Sequence, residues 1–128
     1  MNNEGVFKKL NIFIAIVFIL LIGKTILDIN YMPEELYQYS IELPLSAGLA
    51  ILTLILALVH LVSIFMLYAF FKIGKILFVG SFIGFLAVSL FSGVVILDHI
   101  DYFLDGLHGL ASGAIILMLY SSPIKDRF

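Results

Sequence analysis

Four apolar stretches, at 10–29, 45–71, 76–97 and 102–120, each reach the roughly 20 residues that a helix needs to cross a bilayer. Hydrocarbon offers no water to backbone N–H and C=O groups, so a segment that crosses it must satisfy them internally, which in short single stretches means a helix. The fold expected is therefore all-α: a polytopic membrane protein built as an antiparallel four-helix transmembrane bundle of two helical hairpins. The whole chain, 1–128, forms one transmembrane domain. Composition agrees. Hydrophobic residues make up 62% and charged residues 12%, against roughly 45–50% and 25% in soluble domains. A soluble core of this size could not hide that much apolar surface.

The same composition excludes several kinds of function. A net charge of −2 provides no basic footprint for a nucleic acid, whose phosphates dominate such binding. With no cysteine in the sequence, disulfides, thiol redox chemistry and thiolate metal sites fall away together. No phosphate loop, zinc signature or nucleophile–base pattern is present. Lys8 and Lys9 before an apolar run resemble the start of a signal peptide, but no small-x-small cleavage site follows. The run ends instead in Lys24, Asp28 and Asn30, which predicts a retained first span.

Charge sets the expected orientation. Lys8, Lys9, Lys72, Lys75, Lys125 and Arg127 lie at the N-terminus, the middle turn and the C-terminus. The excess of Lys and Arg on cytoplasmic loops then places both termini and the middle turn in the cytoplasm. Asp28, Glu34, Glu35, Glu42, Asp98, Asp101 and Asp105 fall on the other side. Short loops and the lack of a targeting signal or glycosylation acceptor point to a multi-pass protein of a bacterial inner membrane.

Because lipid is as apolar as leucine, close packing at small residues and hydrogen bonds between helices must hold such a bundle together. The pairs Gly80/Gly84, Ser89/Gly93 and Gly109/Gly113 have the required spacing of four. Ser46, Ala50, Thr53, Ala57 and His60 form a small and polar stripe on the second span, expected to face the bundle interior. Phe7, Phe13, Phe18, Phe65, Phe70, Phe71 and Phe78 fit lipid-facing or interfacial positions.

The chemistry is concentrated in the last span. Asp98, Asp101, Asp105, His108 and Ser112 recur at helical spacing and share one stripe. Ionisable groups inside a membrane are costly and mark function by default. Lys24, at a depth similar to Asp105, is the expected counter-charge, with Asp28 as its other partner. The candidate polar cluster for an ion or partner is thus Lys24, Asp28, Asp98, His99, Asp101, Asp105 and His108, with Thr53 and His60 as a second polar stripe. Asp105 and His108 at i and i+3 could hold a metal only with further ligands. His60 and His108 are too few to argue for a bis-histidine haem, so neither metal nor cofactor is expected.

Two functions remain open, besides an enzyme or redox carrier that would need His60, His99 and His108 to bind a cofactor. The first is a non-catalytic binding, assembly or regulatory component acting in the bilayer, whose partners are lipid, a second copy of the chain or another membrane protein. The alternative is an oligomeric proton- or cation-coupled transporter or channel that uses the Asp105/His108 stripe.

Overall fold

The structure, a computed structural model, describes residues 3–31, 47–91, 99–121 and 123–128, the side chains of residues 28–31 and 47 excepted. Among these residues lie four helices: α1 (Asn3–Tyr31), α2 (Ala47–Tyr68), α3 (Lys72–Phe91) and α4 (His99–Ser121). A 3₁₀ turn, Pro123–Arg127, follows. Each of the four is long and apolar enough to span a membrane. The helices differ in extent from the apolar stretches. α1 already includes Asn3, the first described residue, ahead of the apolar run, and there Glu4 and Lys8 pair one turn apart at 3.1 Å. α2 stops at Tyr68, short of the expected 71.

The end of α2 is a Schellman cap. The Phe71 amide donates to the Met66 carbonyl (2.9 Å) and the Phe70 amide to the Leu67 carbonyl (3.0 Å), the paired bonds of that motif. Glycine usually takes the left-handed position, but here Phe70 holds it with φ 59°. Its ring compensates by packing on Phe7 (5.7 Å between centroids) and Phe128 (5.4 Å). Four residues later, a Cβ placed on Gly74 would come within 2.7 Å of Met66 Cβ and 3.0 Å of the Leu67 backbone nitrogen. Only glycine lets α3 leave the turn so close to α2.

The core runs along one face of each helix. On α1 it is Phe7, Asn11, Ile14 and Phe18; on α4 it is His108, Ala111, Ser112, Ile115 and Leu119. Ile64, Leu67 and Phe78 complete it, with Ile124 of the 3₁₀ turn capping one end. Phe7, Phe18 and Phe78 are therefore buried and not lipid-facing, which corrects the sequence reading. A phenylalanine has no polar atom to say which way it turns, and an apolar helix in lipid shows no polar face to give its core side away. Phe13, Phe65 and Phe71 are exposed as expected.

Helix α2 packs most extensively on α3, and α1 on both α4 and α2, whereas α3 touches α4 sparingly. At the end of the bundle that holds the chain's termini, the helices are clasped. Arg127 reaches Glu4 at 2.9 Å, Phe7 stacks on Phe70 while Phe128 meets both at an angle, and Lys75 donates to the Leu119 carbonyl (3.0 Å) while lying over the Tyr120 ring. Away from this clasp, the sparse contact between α3 and α4 leaves a cavity of about 440 Å³.

Candidate functional site

Two histidines meet in the middle of the bundle. His60 of α2 is fully buried and His108 of α4 nearly so, and their Nε2 atoms lie 3.1 Å apart. His60 Nδ1 lies 2.8 Å from Ser81 Oγ of α3. Ser81 donates its own hydrogen to the Phe78 carbonyl (3.0 Å), so its oxygen accepts from His60 Nδ1–H. His60 Nε2 is then an acceptor, and the hydrogen between the rings belongs to His108 Nε2. Three helices are thus tied by a single ordered chain, Ser81–His60–His108. Polar groups in hydrocarbon gain nothing from water, which is why such a chain can hold α2, α3 and α4 in place.

Aromatic rings enclose the pair. Phe78 stacks on His60 (4.8 Å) and Phe18 on His108 (5.2 Å), while Phe85 meets His60 edge-on (5.7 Å). The contact between the two nitrogens is that of a hydrogen bond. Two imidazoles on one tetrahedral metal would hold their nitrogens about 3.3 Å apart, so a metal reading would turn on further ligands. Among the described residues, no group of three or more His, Cys, Asp or Glu is arranged to hold a metal.

Asp105 is exposed, one turn before His108, and both line the cavity between α3 and α4. Thr53 and Ser89 add hydroxyls to the wall, and Phe82 and Phe85 supply apolar rings. The site therefore has two parts: a cavity with a carboxylate and an imidazole on one wall, and a buried imidazole pair behind it, joined through His108.

The structure divides the polar cluster expected from sequence. Lys24 pairs with Asp101 at 3.5 Å, not with Asp105. Asp101 lies one turn before Asp105 on α4, so the counter-charge meets the earlier member of the stripe. His99 is exposed at the start of α4. Asp98 and the side chain of Asp28 lie outside the described residues. Thr53 donates to the Leu49 carbonyl (2.8 Å) and borders the cavity, whereas His60 moves from a secondary stripe to the centre. Within that stripe Ala50 is exposed and Ala57 half-buried, and Ser46 is not among the described residues.

Sequence reasoning missed Ser81 and the rings of Phe18 and Phe78. Ser81 lies three residues after Phe78, and a lone serine in an apolar helix is more often bonded to its own backbone. Ser63, Ser89 and Ser121 do just that, as does Ser81 with its hydrogen while its oxygen meets His60. Compared with protein families, with curated proteins and with solved structures, the chain matches none.

Proposed function

We propose that this chain is a proton-handling transporter or channel of the membrane, with the His60–His108 pair as its proton-carrying group and the cavity beside Asp105 as its access. The observation that carries this reading is the contact of two buried imidazoles, Nε2 to Nε2 at 3.1 Å, one of which borders the cavity. Histidine is the side chain whose charge changes most readily near neutral pH. A proton taken up at His108 Nδ1 lets the Nε2 hydrogen cross to His60, so that charge moves from α4 to α2 with neither ring leaving its place. Ser81 keeps His60 oriented while this happens. Deeper in the core, Ser112 Oγ, one turn beyond His108, and Asn11 Oδ1 are buried without a hydrogen-bond partner among the described residues, which supports a polar path continuing from the pair. The close approaches of Gly74 to Met66 and of Gly84 to Leu56 support the antiparallel hairpin of α2 and α3. The distribution of Lys and Arg supports cytoplasmic termini.

The test is proton flux in proteoliposomes, driven by a potassium diffusion potential and followed with a trapped pH dye. Wild type is expected to move protons, and His60→Leu and His108→Leu to fall to the level of protein-free vesicles. Wild type indistinguishable from empty vesicles, or variants as active as wild type, would refute it.

The other reading, an assembly component that meets a second copy or another membrane protein, has one specific observation in its favour. A Cβ at Gly113 or Gly80 would meet nothing within 4 Å, leaving small-residue surface open to a further helix.

A further inference from the structure

We infer that the cavity between α3 and α4 binds a lipophilic monocation, a bulky organic cation of the quaternary ammonium or phosphonium kind. At about 440 Å³ the cavity falls within the roughly 300–1,000 Å³ of small-molecule sites. Most of its wall is apolar, with the rings of Phe18, Phe82 and Phe85 and the aliphatic chains of Leu21, Leu86 and Val88. A polar or strongly hydrated ion would lose its water there without compensation.

The sign of the charge follows from the rest of the lining. Among the described residues Asp105 and His108 are its ionisable members, and no Lys or Arg lines it. The groups around Asp105 can be named helix by helix. α4 offers Asp101 and His108, and α1 offers Lys24, which lies 3.5 Å from Asp101 and is 19% exposed. α2 offers the hydroxyl of Thr53, and α3 that of Ser89. Lys24 is thus engaged with a different carboxylate, and the cavity presents a carboxylate beside aromatic faces, both of which attract a cation. An anion would find no counter-charge.

Access is sideways. Leu86, Ser89 and Asp105 are exposed where α3 and α4 separate, so a ligand dissolved in the bilayer reaches the site without entering water. Exchange of the cation for a proton on His108 or Asp105 rests on the proton-handling reading above, but binding itself does not.

The probe is tetraphenylphosphonium, with triphenylphosphine oxide as its neutral counterpart, in equilibrium dialysis against the purified full chain in mild detergent. The cation is expected to bind saturably, with affinity about tenfold weaker in Asp105→Asn, a change of 1.4 kcal/mol. Gly109→Leu should abolish binding, because Gly109 lines the cavity and a side chain there meets open space. Gly48→Leu, equally open but outside the cavity, should bind as wild type does. Far-UV circular dichroism establishes that each variant is folded. If Gly109→Leu does not fold, Asp105→Asn and the neutral probe decide the matter alone. Absence of saturable binding would overturn the inference, as would Asp105→Asn binding as tightly as wild type or the neutral probe binding as tightly as the cation. Proton flux measured without any organic cation tests the relay separately, so the two proposals can fail independently.

Discussion

Replacing His60 and His108 by leucine, singly and together, tests whether the buried pair holds the bundle as its geometry implies. Leucine is close to histidine in volume, so the cavity penalty of an alanine substitution is largely avoided. His60→Leu leaves the Nε2–H of His108 buried without its acceptor, which costs about 1–3 kcal/mol. It also removes the ring stacked 4.8 Å from Phe78, worth about 0.5–1.5 kcal/mol. The gain from a more lipid-compatible side chain offsets part of this, so each single variant should lose about 2 kcal/mol. The double variant no longer has an orphaned ring nitrogen. Interhelical hydrogen bonds in membranes average about 0.6 kcal/mol and reach about 1.7, so the double loss should fall short of the sum by about 1 kcal/mol. Reversible unfolding in mixed micelles of a mild detergent and dodecyl sulfate, followed by far-UV circular dichroism, measures all four proteins. His99→Leu, at an exposed position, should stay within about 0.5 kcal/mol of wild type and serves as control. Losses that add to within about 0.3–0.5 kcal/mol would refute the reasoning, since the rings would then be packed side by side without a shared hydrogen.

At the cap of α2, Phe70→Ala and Phe70→Gly both remove the ring, but only alanine retains the left-handed strain at φ 59°. The glycine variant should therefore be the more stable by about 1 kcal/mol in the same unfolding assay, and equal stabilities would refute the cap. Lys24→Met and Asp101→Asn break an ion pair in which both side chains are mostly shielded, 19% and 14% exposed. The expected loss lies between that of surface and buried pairs, about 1–2 kcal/mol for each, with the double variant losing less than the sum. Strict additivity, or a comparable coupling between Lys24 and Asp105, would show that the pair had been assigned wrongly.

How much of this was legible in the sequence differs from residue to residue. Spans follow from apolar length alone, because backbone polar groups in lipid leave a single stretch no alternative to a helix. The importance of His108 and Asp105 was likewise visible, since an ionisable group in such a stretch is costly enough to need a reason. Helical spacing placed Asp101, Asp105, His108 and Ser112 on one stripe, and the structure brings the members of that stripe to three different environments. Asp101 meets Lys24, Asp105 faces the cavity, and His108 and Ser112 enter the core. Spacing gives the angle around one helix and says nothing of how far the neighbouring helix stands off at each height.

The sequence by itself thus determined that the chain has four helices suited to a membrane, and which helix carries the ionisable stripe. Tertiary structure decided the partners. In lipid the apolar faces of α1 and α3 are chemically alike on all sides, so nothing in their patterning announces that Phe18 and Phe78 turn inward or that Ser81 reaches His60. Only the packing of α2 on α3 and of α1 on α4 brings His60 to His108, and only the gap between α3 and α4 opens a cavity beside them. Hydrogen bonds and close contacts between helices depend on rotation and separation to within an ångström, and those are properties of the assembled bundle that no single segment carries.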